Sequence, residues 1–234
     1  VSKLINQNKV VAVVGSVASK CTLAGAPIAQ SAKVPMISPT STNEAVTKVG
    51  DFIFRACFID PFQGTVMAKF AFNSLKAKTA GMLYDIGNDY TKGLAENFKK
   101  SFEALGGKIV ASETYGVNES DFSAQLTRIR TAKPDVLFMP DYYNSVGLQA
   151  RQARQLGITA TFLGGDGWDS SELVPIGGAA IEGGMFSNHY TPGSTDPVAK
   201  AFYDNYVKRF GAAPDALAAL AYDACLVVGN AITK

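Results

Sequence analysis

From Val10 onward the chain alternates short apolar, β-branched runs with longer stretches of helical period. That alternation is the pattern of repeated strand–helix–strand units, and it predicts an α/β fold built on parallel sheet. VVAVVG (10–15) is apolar on both faces, as suits a strand covered by helices on each side. A helix is expected over 23–31, a strand over 35–38, an alternating strand within 50–58, and a helix from Pro61 that ends before Lys76.

The unit then repeats. Strands are predicted at TAGMLYD (79–85), KIVASETY (108–115) and DVLFMP (135–140), and two more at TFLGG and GGMFSNHY. The intervening helices cover 90–105, which stops at Gly106-Gly107, then 122–131, capped by Asp121 or Ser120. A third is capped by Asn144 or Ser145 and closes at Gly157. Two helices, 197–210 and 216–232, end the chain. If the strands near 79, 108, 135, 161 and 184 pair in one sheet, residues 58–188 make one doubly wound lobe. Residues 1–57 and 189–234 then make a second. Val1, Leu4 and Ile5 recur at helical spacing with no capping residue before them, as though the chain started inside a helix.

The 234 residues, 47% of them hydrophobic, suffice for at least one real core. Charge narrows the partner: 22 Lys+Arg against 20 Asp+Glu gives +2, no electrostatic footprint for nucleic acid or an anionic membrane. Three scattered cysteines make neither a disulfide framework nor a CxxC metal or redox motif. The single His189 has no Cys or Glu at metal-ligand spacing, and GxSxG, GxGxxG and GxxxxGK[ST] are all absent. No catalytic residue, metal or cofactor is therefore expected. A small ligand is.

Open α/β sheets bind ligands at the carboxyl ends of their strands, so the residues just after each strand carry the argument. Ser16 to Ser19 follow the first strand, where hydroxyls and free N–H groups before a helix suit an anion, although Ser19 could equally just cap the helix. Thr40-Ser41-Thr42-Asn43 form a second hydroxyl cluster after PMIS. Tyr90 opens a helix beside a glycine-containing loop, and Tyr142-Tyr143 stand at a strand-to-helix corner, one suited to core and the other to a cleft wall. Asp166, Gly167 and Trp168 follow TFLGG. An Asp between glycines is usually a turn residue, yet at a strand end it can receive an ammonium. Donors for a carboxylate, an acidic acceptor and aromatic walls together describe recognition of a zwitterion, in which both buried charges are neutralised.

The ordered set VVAVVGSVASKCTLAGAPIAQSAKVPMISPTSTN, DFIFRACFIDPFQG, YDIGNDYTKGLAENF, ESDFSAQLTRIR, FMPDYYNSVGLQARQARQLG and FLGGDGWDS resembles the branched-chain amino-acid substrate-binding proteins of bacterial ABC transporters. Their fold is that of type I periplasmic binding proteins. The resemblance implies a non-enzymatic, two-lobed receptor, periplasmic or lipid-anchored at the cell surface, that closes on a neutral, branched-chain or aliphatic amino acid and delivers it to a membrane ABC permease. By position, Ser19 and Thr42 would hold the ligand carboxylate with backbone around Thr40 and Ser41. Tyr90 and Tyr142 would be walls, and Asp166 beside Gly167 the ammonium partner, where leucine-type members carry Glu. Trp168 would either narrow the cleft or pack behind Asp166. An alternative within the same fold is a sensor domain for amides or other small polar compounds. The resemblance further implies a fragment whose first lobe lacks family segments before Val1 and beyond Lys234. Such a chain is expected to expose apolar surface, or to complete itself as a homo-oligomer or by exchange of elements.

Overall fold

The computed structural model describes all residues, 1–234. In chain order the elements are α1 (Ser2–Asn6), β1 (Val13–Val14), α2 (Ser19–Ser31), β2 (Met36–Ser38), β3 (Ile53–Arg55), α3 (Asp60–Lys69) and β4 (Thr79–Asp85). There follow α4 (Asp89–Ala104), β5 (Lys108–Tyr115), α5 (Ser123–Ala132), β6 (Val136–Phe138), α6 (Tyr143–Gln155) and β7 (Thr161–Gly164). The last are α7 (Leu173–Gly177), β8 (Met185–Phe186), α8 (Pro197–Phe210) and α9 (Ala216–Ile232). No helix is long and apolar enough to cross a membrane.

The chain forms two compact units, one of Val1–Ile59 with Asn188–Lys234 and one of Asp60–Ser187. The boundaries expected at 57/58 and 188/189 thus fall at 59/60 and 187/188, because Asp60 already belongs to α3, where its carboxylate accepts from Gln63.

The first unit carries a three-stranded parallel sheet in the order β1-β2-β3. Val13, Ala26, Ala29, Met36, Val46 and Ile53 form its core. VVAVVG departs from expectation. Only Val13 and Val14 pair, solely with β2, and Val11 is 73% exposed. An edge strand with one neighbour has no cover over its outer positions, so apolar content alone overstates its burial. α8 and α9 owe their starts to Asp196, which accepts from Val198 N and Ala199 N, and Asp215, which accepts from Ala218 N.

The second unit is a five-stranded, all-parallel sheet in the order β5-β4-β6-β7-β8. Strand order reverses between β4 and β6, the arrangement that opens a crevice at the carboxyl ends of the strands. One face packs Leu126, Ile129, Phe162 and Trp168, and the other packs Phe98, Phe102 and Phe138. Helix α3 lies against α4 at Gly64, where a Cβ would stand 2.8 Å from Phe98 N and 2.8 Å from Asn97 Cβ. One carboxyl is buried at the switch point itself. Asp141 follows β6 at 4% exposure, and its Oδ1 accepts from Tyr142 N at 2.7 Å. Burial pushes its carboxyl up to about 7, with a smaller push from the Asp85 charge, against the pull of the Tyr142 N–H.

Two outcomes follow from this packing. Gly64→Val should lower the urea midpoint of unfolding by an amount equivalent to about 1–3 kcal/mol, since backbone on α4 cannot yield as a side chain can. Asp141 keeps its proton when folded, up to about pH 7, whereas the unfolded chain loses it near 3.8. The folded state therefore binds more protons across that window, and stability falls as pH rises from about 4 to about 7. In thermal melts Asp141→Asn should exceed the parent at about pH 8 and converge with it near pH 4; parallel curves would refute buried titration.

Candidate functional site

In the first unit the turns after β1 and β2 are laced together by hydroxyls. Ser38 Oγ donates to Ser16 O at 2.6 Å, and Thr40 Oγ1 donates to Val17 O at 3.0 Å. Ser41 Oγ lies 2.7 Å from Thr22 Oγ1, 3.1 Å from Ser16 O and 3.0 Å from Val17 O, while Ser41 N donates to Ser38 Oγ at 3.0 Å. Ser41 is thus occupied inside the turn pair, with both its hydroxyl and its N–H engaged. Thr40 has likewise spent its proton. Two hydroxyls differ. Ser19 Oγ accepts from Asn43 N at 3.3 Å, and Thr42 Oγ1 is fully buried with no hydrogen-bond partner in the protein. Ser19 is not the helix cap: α2 begins at Ser19 itself, and Ala18 holds the cap position without a side-chain bond.

Arg55 holds this loop, and the sequence pattern did not single it out. Its Nη1 donates to the carbonyls of Ser41 and Asn43, both at 2.8 Å, and its Nη2 donates to Thr47 Oγ1 at 3.0 Å. An alternating strand hides such a residue, because the carbonyls it collects belong to a loop 12 and 14 positions away. His189, also in this unit, stacks on Phe58 with ring centroids 3.5 Å apart.

The second unit centres on Asp166, which is buried just after β7 in a short turn of helix over Asp166–Trp168. Tyr90 OH donates to its Oδ1 at 2.9 Å, and Gln63 Nε2 donates to the same oxygen at 3.0 Å. Gly167 N in turn donates to Tyr90 OH at 3.0 Å. Tyr90 is placed by Asn88, whose side chain accepts from Tyr90 N and caps α4. Burial, and next the Asp166 charge, push the Tyr90 phenol well above its ordinary value, so it stays a neutral donor. Tyr142 packs beside it, with ring centroids 5.1 Å apart.

The glycines around Asp166 do more than turn the chain. A Cβ on Gly165 would stand 2.8 Å from Tyr90 OH and 3.0 Å from Gln63 Oε1, and one on Gly167 would stand 2.8 Å from Asp141 O. They admit the donors. Trp168 is a correction to the wall reading: its indole is 1% exposed in the core, and Nε1 donates to Met139 O at 2.9 Å. A large ring with one polar atom settles where that atom finds a carbonyl. Tyr142 takes the helix-cap position of α6, so Asn144 and Ser145 fall within its first turn rather than at the cap.

One cavity borders these residues and another does not. The first, of 310 Å³, opens at the ends of β4 to β6, lined in part by Asp85, Asn88, Asp141 and Tyr142. The second, of 620 Å³, lies between α8 and α9, lined by Phe202, Tyr206, Phe210 and Tyr222 among others, and contains none of the candidate residues. No group of three or more His, Cys, Asp or Glu is placed to hold a metal ion.

The sequence profile of the periplasmic binding proteins matches residues 1–234. A leucine-, isoleucine-, valine-, threonine- and alanine-binding protein of Pseudomonas aeruginosa is 33% identical over 235 aligned positions, which take in 100% of this chain and 62% of the relative. Among solved structures, a leucine-binding protein LivK of Thermotoga maritima superposes with a TM-score of 0.95 at 45% identity, covering 99% of this chain and 66% of the other. The branched-chain amino-acid transporter substrate-binding protein LivJ of Streptococcus pneumoniae, solved with isoleucine, gives 0.90 at 37% identity over 98% of this chain and 66% of its own. The chain therefore spans about two thirds of the length of these relatives. With the profile running through both units and the strand ends carrying the polar residues described, the chain belongs to the periplasmic binding protein family.

Proposed function

We propose that this chain is the ligand-binding part of an extracytoplasmic receptor that takes up a small neutral amino acid, branched-chain or aliphatic. It hands the ligand on to a membrane ABC permease and carries out no chemistry on it. The observation that carries the reading is Asp166, a buried carboxylate held in one orientation by two neutral donors, Tyr90 and Gln63. Neutral donors fix the acid without cancelling its charge, which suits it to receive an ammonium. Tyr142, partly buried and packed on the buried Tyr90 ring, supplies an aromatic face beside it.

The hydroxyls of the first unit, taken by themselves, suit a carboxylate. A buried hydroxyl without a partner costs about 1–3 kcal/mol, and Thr42 Oγ1 is such a group. A ligand carboxylate received there and at Ser19 would meet that cost. The relatives support the substrate class: the one from P. aeruginosa is named for leucine, isoleucine, valine, threonine and alanine, and LivJ was solved with isoleucine.

Calorimetry with leucine tests the reading. Asp166→Ala should weaken binding about 30-fold or more, the loss expected when one partner of a buried charge pair is removed. Tyr142→Ala should cost about three- to tenfold, through lost aromatic contact. Unchanged affinity in Asp166→Ala would sink the proposal, and tight binding of amides that lack a free ammonium would favour the sensor reading.

A further inference from the structure

Asp166 does not stand alone, and the group that binds it most completely is Gln63, on the first turn of α3. This side chain is fully buried, and all four hydrogen-bonding positions of its amide are used. Nε2 donates to Asp60 Oδ1 at 3.1 Å and to Asp166 Oδ1 at 3.0 Å. Oε1 accepts from Asp166 N at 3.3 Å and from Ser187 Oγ at 2.9 Å. The orientation of the amide is determined by these partners. A flip would set its oxygen against two carboxylate oxygens and its NH₂ against the backbone N–H of Asp166.

The partners have a pattern of their own. Asp60 and Ser187 are the first and last residues of the second unit, where the chain enters and leaves it. Gln63 touches both, and it touches both the carboxylate and the backbone N–H of Asp166. Gly165 leaves the space for this approach, since a Cβ there would lie 3.0 Å from Gln63 Oε1. We propose that Gln63 is a positioning residue for ammonium recognition: it holds the Asp166 carboxylate and its turn in the receiving geometry and ties that geometry to the two chain crossings. The inference rests on the amino-acid reading of Asp166.

Gln63 would act through Asp166 and should affect only ligands with an ammonium. In Gln63→Met, which keeps the length but loses every hydrogen bond, affinity for leucine should fall about tenfold or more. Affinity for the amine-free carboxylic acid of the same skeleton, read by competition, should stay as in the parent. Ser187→Ala removes a single bond at a half-buried hydroxyl that folding tolerates, and should cost about threefold for leucine alone. Gln63→Glu places a third carboxyl between Asp60 and Asp166. As an acid it can still donate one hydrogen bond, and as a carboxylate none, so its leucine affinity should fall relative to the parent between about pH 5 and about pH 8.

Leucine binding that is unchanged in both Gln63→Met and Ser187→Ala would overturn the proposal while leaving Asp166 in place. An equal loss for leucine and the amine-free acid would also overturn it, by reducing Gln63 to a structural part. If Asp166→Ala binds leucine like the parent, the amino-acid reading itself fails and this inference falls with it.

Discussion

Burying a carboxylate costs several kcal/mol unless the protein surrounds it with donors or an opposite charge. The second unit meets that demand at Asp166 with two neutral groups, the Tyr90 phenol and the Gln63 amide, and much of the local architecture is the means of bringing them there. α4 must start where Asn88 can cap it, so that Tyr90 lies on the first turn. α3 must press against α4, and Gly64 permits that approach. Gly165 and Gly167 must lack side chains, or the phenol and the amide could not reach the carboxylate. The parallel sheet is the origin of Tyr90 and Asp166, which follow β4 and β7, whereas Gln63 is brought by α3 from the point where the chain enters the unit.

The same constraint explains why polar residues so close together have different parts. Asp141 and Asp166 both follow strands and are both 4% exposed. Asp166 meets a phenol and an amide, whereas Asp141 meets the N–H of Tyr142 with the Asp85 charge nearby, and burial raises its carboxyl to about 7. One environment gives the carboxylate two side-chain donors and the other penalises its charge. Trp168, two residues past Asp166, is carried the other way by the short helical turn, into the core beneath β6, where Met139 O takes its N–H.

Much of this was legible in the sequence, and the part that was not has a common cause. Helices and strands with strong periodicity, such as 79–85, 108–115, 197–210 and 216–232, appear where the pattern puts them, because local burial and capping decide them. Asp166 and the two hydroxyl clusters were visible as polar residues at strand ends. Gln63 and Arg55 were not. Their partners lie far along the chain, Asp166 being 103 positions from Gln63 and Ser41 being 14 from Arg55. Nothing in the local pattern marks a buried glutamine on a helix. VVAVVG erred in the opposite direction, since composition describes what a strand can bury, whereas burial depends on its neighbours in the sheet.

On the proposed reading a ligand's ammonium and carboxylate need unlike surroundings, and each unit, taken by itself, suits one of them. A carboxylate is satisfied by several weak donors, and it gains from the positive end of a helix. The first unit offers neutral hydroxyls at the start of the 13-residue α2, with Arg55 holding their loop through its carbonyls. An ammonium carries a compact charge with no acceptor of its own, and neutral oxygens alone would leave that charge uncompensated. The second unit therefore commits a full carboxylate and accepts its desolvation cost. Gln63 reaches that carboxylate with one of its four hydrogen bonds and the Asp166 backbone N–H with another, so it shares with Tyr90 the work of meeting the cost and, on the inference above, helps set the selectivity for an amine.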